Sequence, residues 1–228
     1  MNLTRNHRRA QGLTWVEVLV VVGTAVLLFG LLLPCVAIHL RLRRCVTPTG
    51  RIACVTNLRQ VGLAYRLWAN DHEDRFPMTV STNQGGTLEL AATREVFRHF
   101  QAISNELSSP KIVVCPRDTA RVRAPSYSDA SFGNSNLSYF VNLDAVAGCP
   151  QMILAGDRNL TGGASTNRSL LRLRTNSFAG WTRGVHTNCG NLVLVDGSVQ
   201  QVAAAGLRRQ LQAVTNEFIR LAIPFTRP

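Results

Sequence analysis

Three groups of residues in this chain have types and spacing that could do chemistry. Glu17 is a carboxylate at the threshold of an uncharged apolar run from Val18 to Ile38. An ionisable group at the edge of such a run is expensive unless it finds a partner, so Glu17 points to a pairing. His186 stands nine residues before Asp196-Gly197. An imidazole and a carboxylate could ligate a metal or move a proton, but one of each does not make a metal site. Asp196 is sufficiently explained as a turn residue, and His186 as a hydrogen-bond partner of the hairpin backbone. Asp71, Glu73 and Asp74 could lend oxygens to Ca²⁺, yet they lack the spaced ligands of an EF-hand, and a solvated helix end is the plainer reading. No cofactor is expected, with Ca²⁺ at these acids the one candidate. Ser126, Ser128 and Ser131 have no nucleophile elbow and no base nearby in sequence, and there is no Walker-type phosphate loop. No catalytic residue, and hence no enzyme, is expected.

The elements that must position these residues begin with the apolar run. Its 21 residues make roughly 31 Å of helix, enough to cross the hydrocarbon of a bilayer. A basic leader, Met1 to Gln11, carries Arg5, Arg8 and Arg9. A secretory signal peptide would have a shorter core and an apolar residue in place of Glu17, although Cys35-Val36-Ala37 is a weak cleavage site. A lipoprotein signal would use Cys35, which Pro34 disfavours. A plain membrane anchor is the third reading. Gly23, Ala25 and Gly30 would allow close helix approach in a membrane, and are equally ordinary membrane-helix residues. Arg41, Arg43, Arg44 and Arg51 follow the run, so flanking charge alone does not orient it.

Of the 228 residues, about 190 lie beyond the span, enough for one globular domain with its own core. The formal charge is +12, from 25 Lys+Arg against 13 Asp+Glu, and Lys111 is the only lysine. The arginines are scattered, with no long basic run or recognition-helix signature, so no nucleic-acid partner is expected. Six cysteines, at 35, 45, 54, 115, 149 and 189, include no C-x-x-C pair. That spacing argues against a structural zinc site and leaves the disulfide connectivity open.

Pro48, Thr49 and Gly50 predict a break after the membrane helix. Ile52, Val55, Leu58, Val61, Leu63, Tyr65 and Leu67 predict a second helix with a broad apolar face, ending near Asn70. A helix from Thr87 to about Leu107 would bury Val96, Phe97, Phe100, Ile103 and Leu107. Lys111 to Cys115 reads as a short buried strand, and Thr119 to Asn136 as a polar loop. Further strands are predicted at Leu137 to Leu143, Gln151 to Gly156 and Leu170 to Thr175. Asn191 to Val195 and Ser198 to Val202 form a hairpin whose Asp196-Gly197 suits a type I′ turn. A helix from about Ala205 to Leu221 closes an α+β domain.

The segment Gly12-Leu13-Thr14-Trp15-Val16-Glu17, with the apolar run behind it, resembles the processing motif of type IV pilins and type II secretion pseudopilins. Leu13 replaces the usual Phe. The resemblance implies that a prepilin peptidase cuts between Gly12 and Leu13 and that Leu13 is then methylated. It also implies that Glu17 pairs with the N-terminal amine of a neighbouring subunit and that Pro34 kinks the helix. His186, nine residues, then Asp196-Gly197 resembles the H-X9-DG element of prepilin-like families of planctomycete- and verrucomicrobia-type bacteria. Cys54 to Ala64, Phe97 to Gln101 with Ser104 to Leu107, Val114 to Thr119, Asn136 to Val141 and Ile153 to Asn159 are similar to further motifs of that group.

What the resemblance implies is a pilin-like α+β protein in which 1–12 is a cleaved leader, 13–50 the transmembrane helix and juxtamembrane break, and 51–228 an exported domain. It would sit in a bacterial inner membrane as a single-pass protein, N-terminus cytoplasmic and domain periplasmic, or in a cell-surface filament. Its partners would be the prepilin peptidase, the membrane and other pilin or pseudopilin subunits. The expected role is a pseudopilin or minor-pilin subunit; the alternative is a surface-binding or scaffold protein that uses the same anchor. Cys54 and Cys115 both lie in the family-like motifs, at a helix start and a strand end expected to pack together, and are the first candidates for a disulfide. Cys149–Cys189 is the second.

Overall fold

The computed structural model describes residues 14–43, 49–167, 169–213 and 217–225. The chain divides into two compact units, an N-terminal helical one and a globular one. The first is helix α1 (Trp15–Arg43), 29 residues long with Pro34 inside it. Within it, Trp15–Pro34 is long and apolar enough to cross a membrane, with a mean hydropathy of 2.6. Its side chains are exposed in the isolated chain.

The globular unit starts with helix α2 (Thr49–Asn70). Thr49 and Gly50 therefore belong to a helix rather than to the predicted break, and Pro48 lies outside the described residues. Cys54, Leu58, Val61, Tyr65 and Trp68 face the core, whereas Ile52, Leu63 and Leu67 are exposed. The predicted face was too broad because Val61, Leu63, Tyr65 and Leu67 alternate in sequence, while a turn of 3.6 residues keeps only every third or fourth position on one side.

The predicted helix from Thr87 to Leu107 is replaced by a 3₁₀ turn at Leu88–Ala92 and a short helix α3 (Phe97–Gln101). The core anchors Val96, Phe100, Ile103 and Leu107 are buried all the same. Nor is Lys111–Cys115 a strand: Pro110–Val113 forms a 3₁₀ turn with Pro110 in its first turn and the Ser109 hydroxyl accepting from the Lys111 N–H. Proline at the first position of a helical turn is favourable, and that signal outweighed the apolar run. The stretch 119–136 is irregular as expected, but it is packed: Arg121, Ala124, Tyr127 and Phe132 are buried.

The sheet strands are β1 (Tyr139–Asn142), β2 (Ile153–Asp157), β4 (Ala164–Asn167), β5 (Leu170–Arg174), β7 (Cys189–Leu194), β8 (Val199–Ala203) and β9 (Phe218–Ala222), with a separate pair, β3 (Leu160–Thr161) and β6 (Gly180–Trp181). The seven-stranded sheet runs in the order β4-β5-β9-β1-β2-β7-β8. All its pairings are antiparallel. The predicted closing helix stops early: α4 (Ala204–Gln212) is followed by β9, which fills the sheet between β5 and β1. Helices followed by an antiparallel sheet make this an α+β protein.

α2 lies against β2, β7 and β8. Gly62 permits that approach, since a Cβ there would lie 2.4 Å from Val193 Cγ2. The β7–β8 hairpin forms as predicted, but its turn differs. Gly197 N–H donates to Leu194 C=O, Leu194 N–H donates to Ser198 C=O, and Gly197 takes φ 86°. Asp196 is not among the described residues with positive φ, so the loop has three residues with a glycine bulge rather than a two-residue type I′ turn.

Candidate functional site

The residues singled out in the sequence fall in several places, of which two, one in each unit, gather polar groups of functional interest. Gly12 and Leu13 lie outside the described residues. Glu17 stands in the first turn of α1. Its Oε2 accepts from the Thr14 N–H at 2.8 Å and the Thr14 hydroxyl at 2.9 Å, while Thr14 Oγ1 accepts from the Glu17 N–H at 3.4 Å. This is a reciprocal capping box, T-x-x-E, which satisfies helix-start donors that would otherwise be orphaned. The T-x-x-E spacing of Thr14 and Glu17 is the sequence signal for this cap. Pro34, without an N–H, removes one ladder bond inside α1.

The second place is a buried polar centre in the globular unit. Cys54 comes from α2, which presents it to the core, and Cys115 from the chain after the Pro110–Val113 turn; the two form a disulfide with a Cα–Cα distance of 5.1 Å. Cys189 is also disulfide-bonded, but not to Cys149, which is an exposed free thiol. The Cys149–Cys189 expectation is thereby overturned.

His186 lies in the loop before β7. Its Nε2 lies 3.5 Å from Cys115 Sγ and 3.4 Å from Asp157 Oδ2. Its backbone does approach β7, since its C=O accepts from the Cys189 N–H at 2.7 Å. Asp157 ends β2, and its Oδ2 also accepts from the Asn191 backbone N–H at 2.6 Å and the Asn191 side chain at 2.8 Å. Beside the disulfide in sequence, Asn57 donates to the Val114 carbonyl at 3.2 Å.

Close by in sequence, Asp118 receives Arg158 through both prongs of the guanidinium, at 2.6 and 2.8 Å. Burial, and then repulsion from Arg158, pushes the Arg121 guanidinium down to about 10, with Asp118 opposing the shift. Burial, and then the Asp157 charge, raises the Tyr139 hydroxyl well above its ordinary value. Sequence reasoning missed Asp118, Asp157, Arg158 and Asn191 as partners. Asp118 and Asp157-Arg158 sat inside quoted motifs, and the signal was the presence of charges directly beside buried apolar segments.

His186 and Asp196 occupy different environments. Asp196 is exposed at the hairpin turn, its Oδ1 accepting from the Ser198 N–H at 2.8 Å and its backbone carbonyl from the Arg66 guanidinium. The Ser198 hydrogen bonds hold its carboxyl below the usual range. Asp71, Glu73 and Asp74 lie just past α2, where Glu73 pairs with Arg75 at 3.1 Å on the surface. Among the described residues, the donor atoms close enough to share one ion are those of Cys54, Cys115 and His186, not those of the three acids.

With Cys54, Cys115 and Asp157 wholly enclosed and His186 4% exposed, the centre can fix neighbouring segments, hold a proton or bind an ion. Comparison with protein-family models, curated proteins and solved structures finds no match to the chain.

Proposed function

We propose that the chain is a membrane-anchored filament subunit of the pseudopilin or minor-pilin kind, joined to its neighbours through α1. The observation that carries this reading is Glu17, a carboxylate at the start of a helix whose following residues are apolar on every side. A soluble amphipathic helix would have a polar face, and a carboxylate at the edge of a membrane span calls for a partner in the membrane. In a bundle of such helices, Glu17 meets the free amine of a neighbour's processed N-terminus. Such a buried charge pair sets the axial stagger of the subunits, as buried polar residues set register in coiled coils. The globular unit is then the decoration on the outside of the helical shaft. Its enclosed polar centre ties α2, the segment around Cys115, the end of β2 and the loop before β7 to one another.

The reading requires prepilin-type processing. Sequencing the N-terminus of the protein recovered from membranes should give methylated Leu13. A chain starting at Met1 would make α1 a plain anchor. A start at Cys35 or Ile38 would make it a signal peptide.

A further inference from the structure

We propose that the Cys54–Cys115 pair, when reduced, closes with His186 and Asp157 around one Zn²⁺ ion. Cys54 Sγ, Cys115 Sγ and a ring nitrogen of His186 lie within 4.8 Å of one another. Asp157 Oδ2 is 3.4 Å from His186 Nε2. Ligands at ordinary zinc distances in a tetrahedron stand about 3.5 Å apart, so the imidazole is already in place and the sulfurs need only separate, while Asp157, outside that close group, must move in beside His186 to complete the set.

The surroundings argue for more than a disulfide. A disulfide packs well among apolar side chains and needs no imidazole or carboxylate beside it, and burying an acid is costly without compensation. Here two cysteine sulfurs and an imidazole come from three separate segments to one enclosed spot, and a carboxylate from a fourth lies beside the imidazole. Asn191 fixes the carboxylate through its backbone and side-chain N–H groups, the kind of outer contact that orients metal ligands. Sequence spacing could not show the site, because its ligands are scattered.

The chemistry balances with a phosphine reductant. A trialkylphosphine gives two electrons to the disulfide and leaves as the phosphine oxide, taking its oxygen from water, so that two thiols form. Zn²⁺ then binds the two thiolates, the neutral imidazole and the carboxylate, releasing both thiol protons. The ion would hold together the same segments that the Cys54–Cys115 disulfide joins, so that link survives its reduction.

The test uses the full chain in detergent, with Cys149→Ser to remove the exposed thiol, reduced anaerobically with a trialkylphosphine and titrated with Co²⁺ and then Zn²⁺. The expected result is one Co²⁺ per chain with the visible absorption of a tetrahedral thiolate site. Zn²⁺ should displace it and raise the melting temperature, and the oxidised protein should show neither effect. Cys115→Ser and His186→Ala should each lose the spectrum, and Asp157→Asn should weaken it. The proposal is overturned if the reduced, folded protein gives no such spectrum, or if His186→Ala gives an unchanged one. It is equally overturned if reduction unfolds the chain and one equivalent of Zn²⁺ fails to restore its circular dichroism.

Discussion

Asp118 and Arg158, 40 residues apart, meet in a two-pronged ion pair with the carboxylate buried and the guanidinium at its edge. The pair ties the chain after Cys115 to the end of β2, and so holds two sides of the polar centre together. Asp118→Asn keeps the shape but leaves Arg158 and the nearby Arg121 without the shared counter-charge. A loss of about 2–4 kcal/mol is expected, because the cost is that of an uncompensated, partly buried cation. Arg158→Met added to Asp118→Asn should recover part of it. Chemical denaturation of the two single variants and the double variant measures this coupling, and strictly additive losses would contradict it.

Gly62→Ala should destabilise the protein even though alanine favours helices by about 1 kcal/mol over glycine. The new methyl would fall 2.4 Å from Val193 Cγ2, a short, stiff side chain on β7. Overpacking of this kind costs about 1–3 kcal/mol, and Val193→Ala in the same chain should relieve it. Equal melting temperatures for Gly62→Ala and the parent protein would show that α2 and β7 stand further apart.

His99 is buried with its Nδ1 2.7 Å from the Thr87 hydroxyl, and burial pushes its pKa from 6.5 down to about 4. Between those values the unfolded chain binds a proton that the native protein does not. Stability from this group is therefore full above about pH 6.5 and falls as the pH drops towards about 4, by about 3 kcal/mol in all. His99→Gln, which can still reach Thr87, should flatten the fall in melting temperature across that window. A wild-type-like slope in the variant would remove His99 as its source.

The sheet core was legible where strands carried their own pattern. β1, β2, β5 and the β7–β8 hairpin lie within a few residues of their predicted places, and in β5 Leu173 is buried while Arg172 and Arg174 are exposed. β9 was not legible, because Phe218 to Ala222 continues an apolar stretch that also fits a helix, and only its place between β5 and β1 decides. The Cys54–Cys115 pair was anticipated, but its neighbours were not. His186 was tied to Asp196 by sequence distance, whereas the fold places it against Cys115, 71 residues away. Contacts of that range depend on topology, which short-range periodicity does not encode.

The central claim rests on Glu17, and one comparison separates assembly from capping. In the isolated chain Glu17 closes a capping box with Thr14, and glutamine at the same position can do so as well. Glutamine cannot supply a negative charge to a neighbour's amine. The measurement is the amount of each variant recovered in filaments, set against the amount present in the membrane, for wild type, Glu17→Gln and Glu17→Leu. The account predicts that both variants reach the membrane with a folded globular unit and that both fail to enter filaments. Normal incorporation of Glu17→Gln would contradict it, leaving Glu17 as a helix cap and the chain as an anchored protein that does not assemble through this residue.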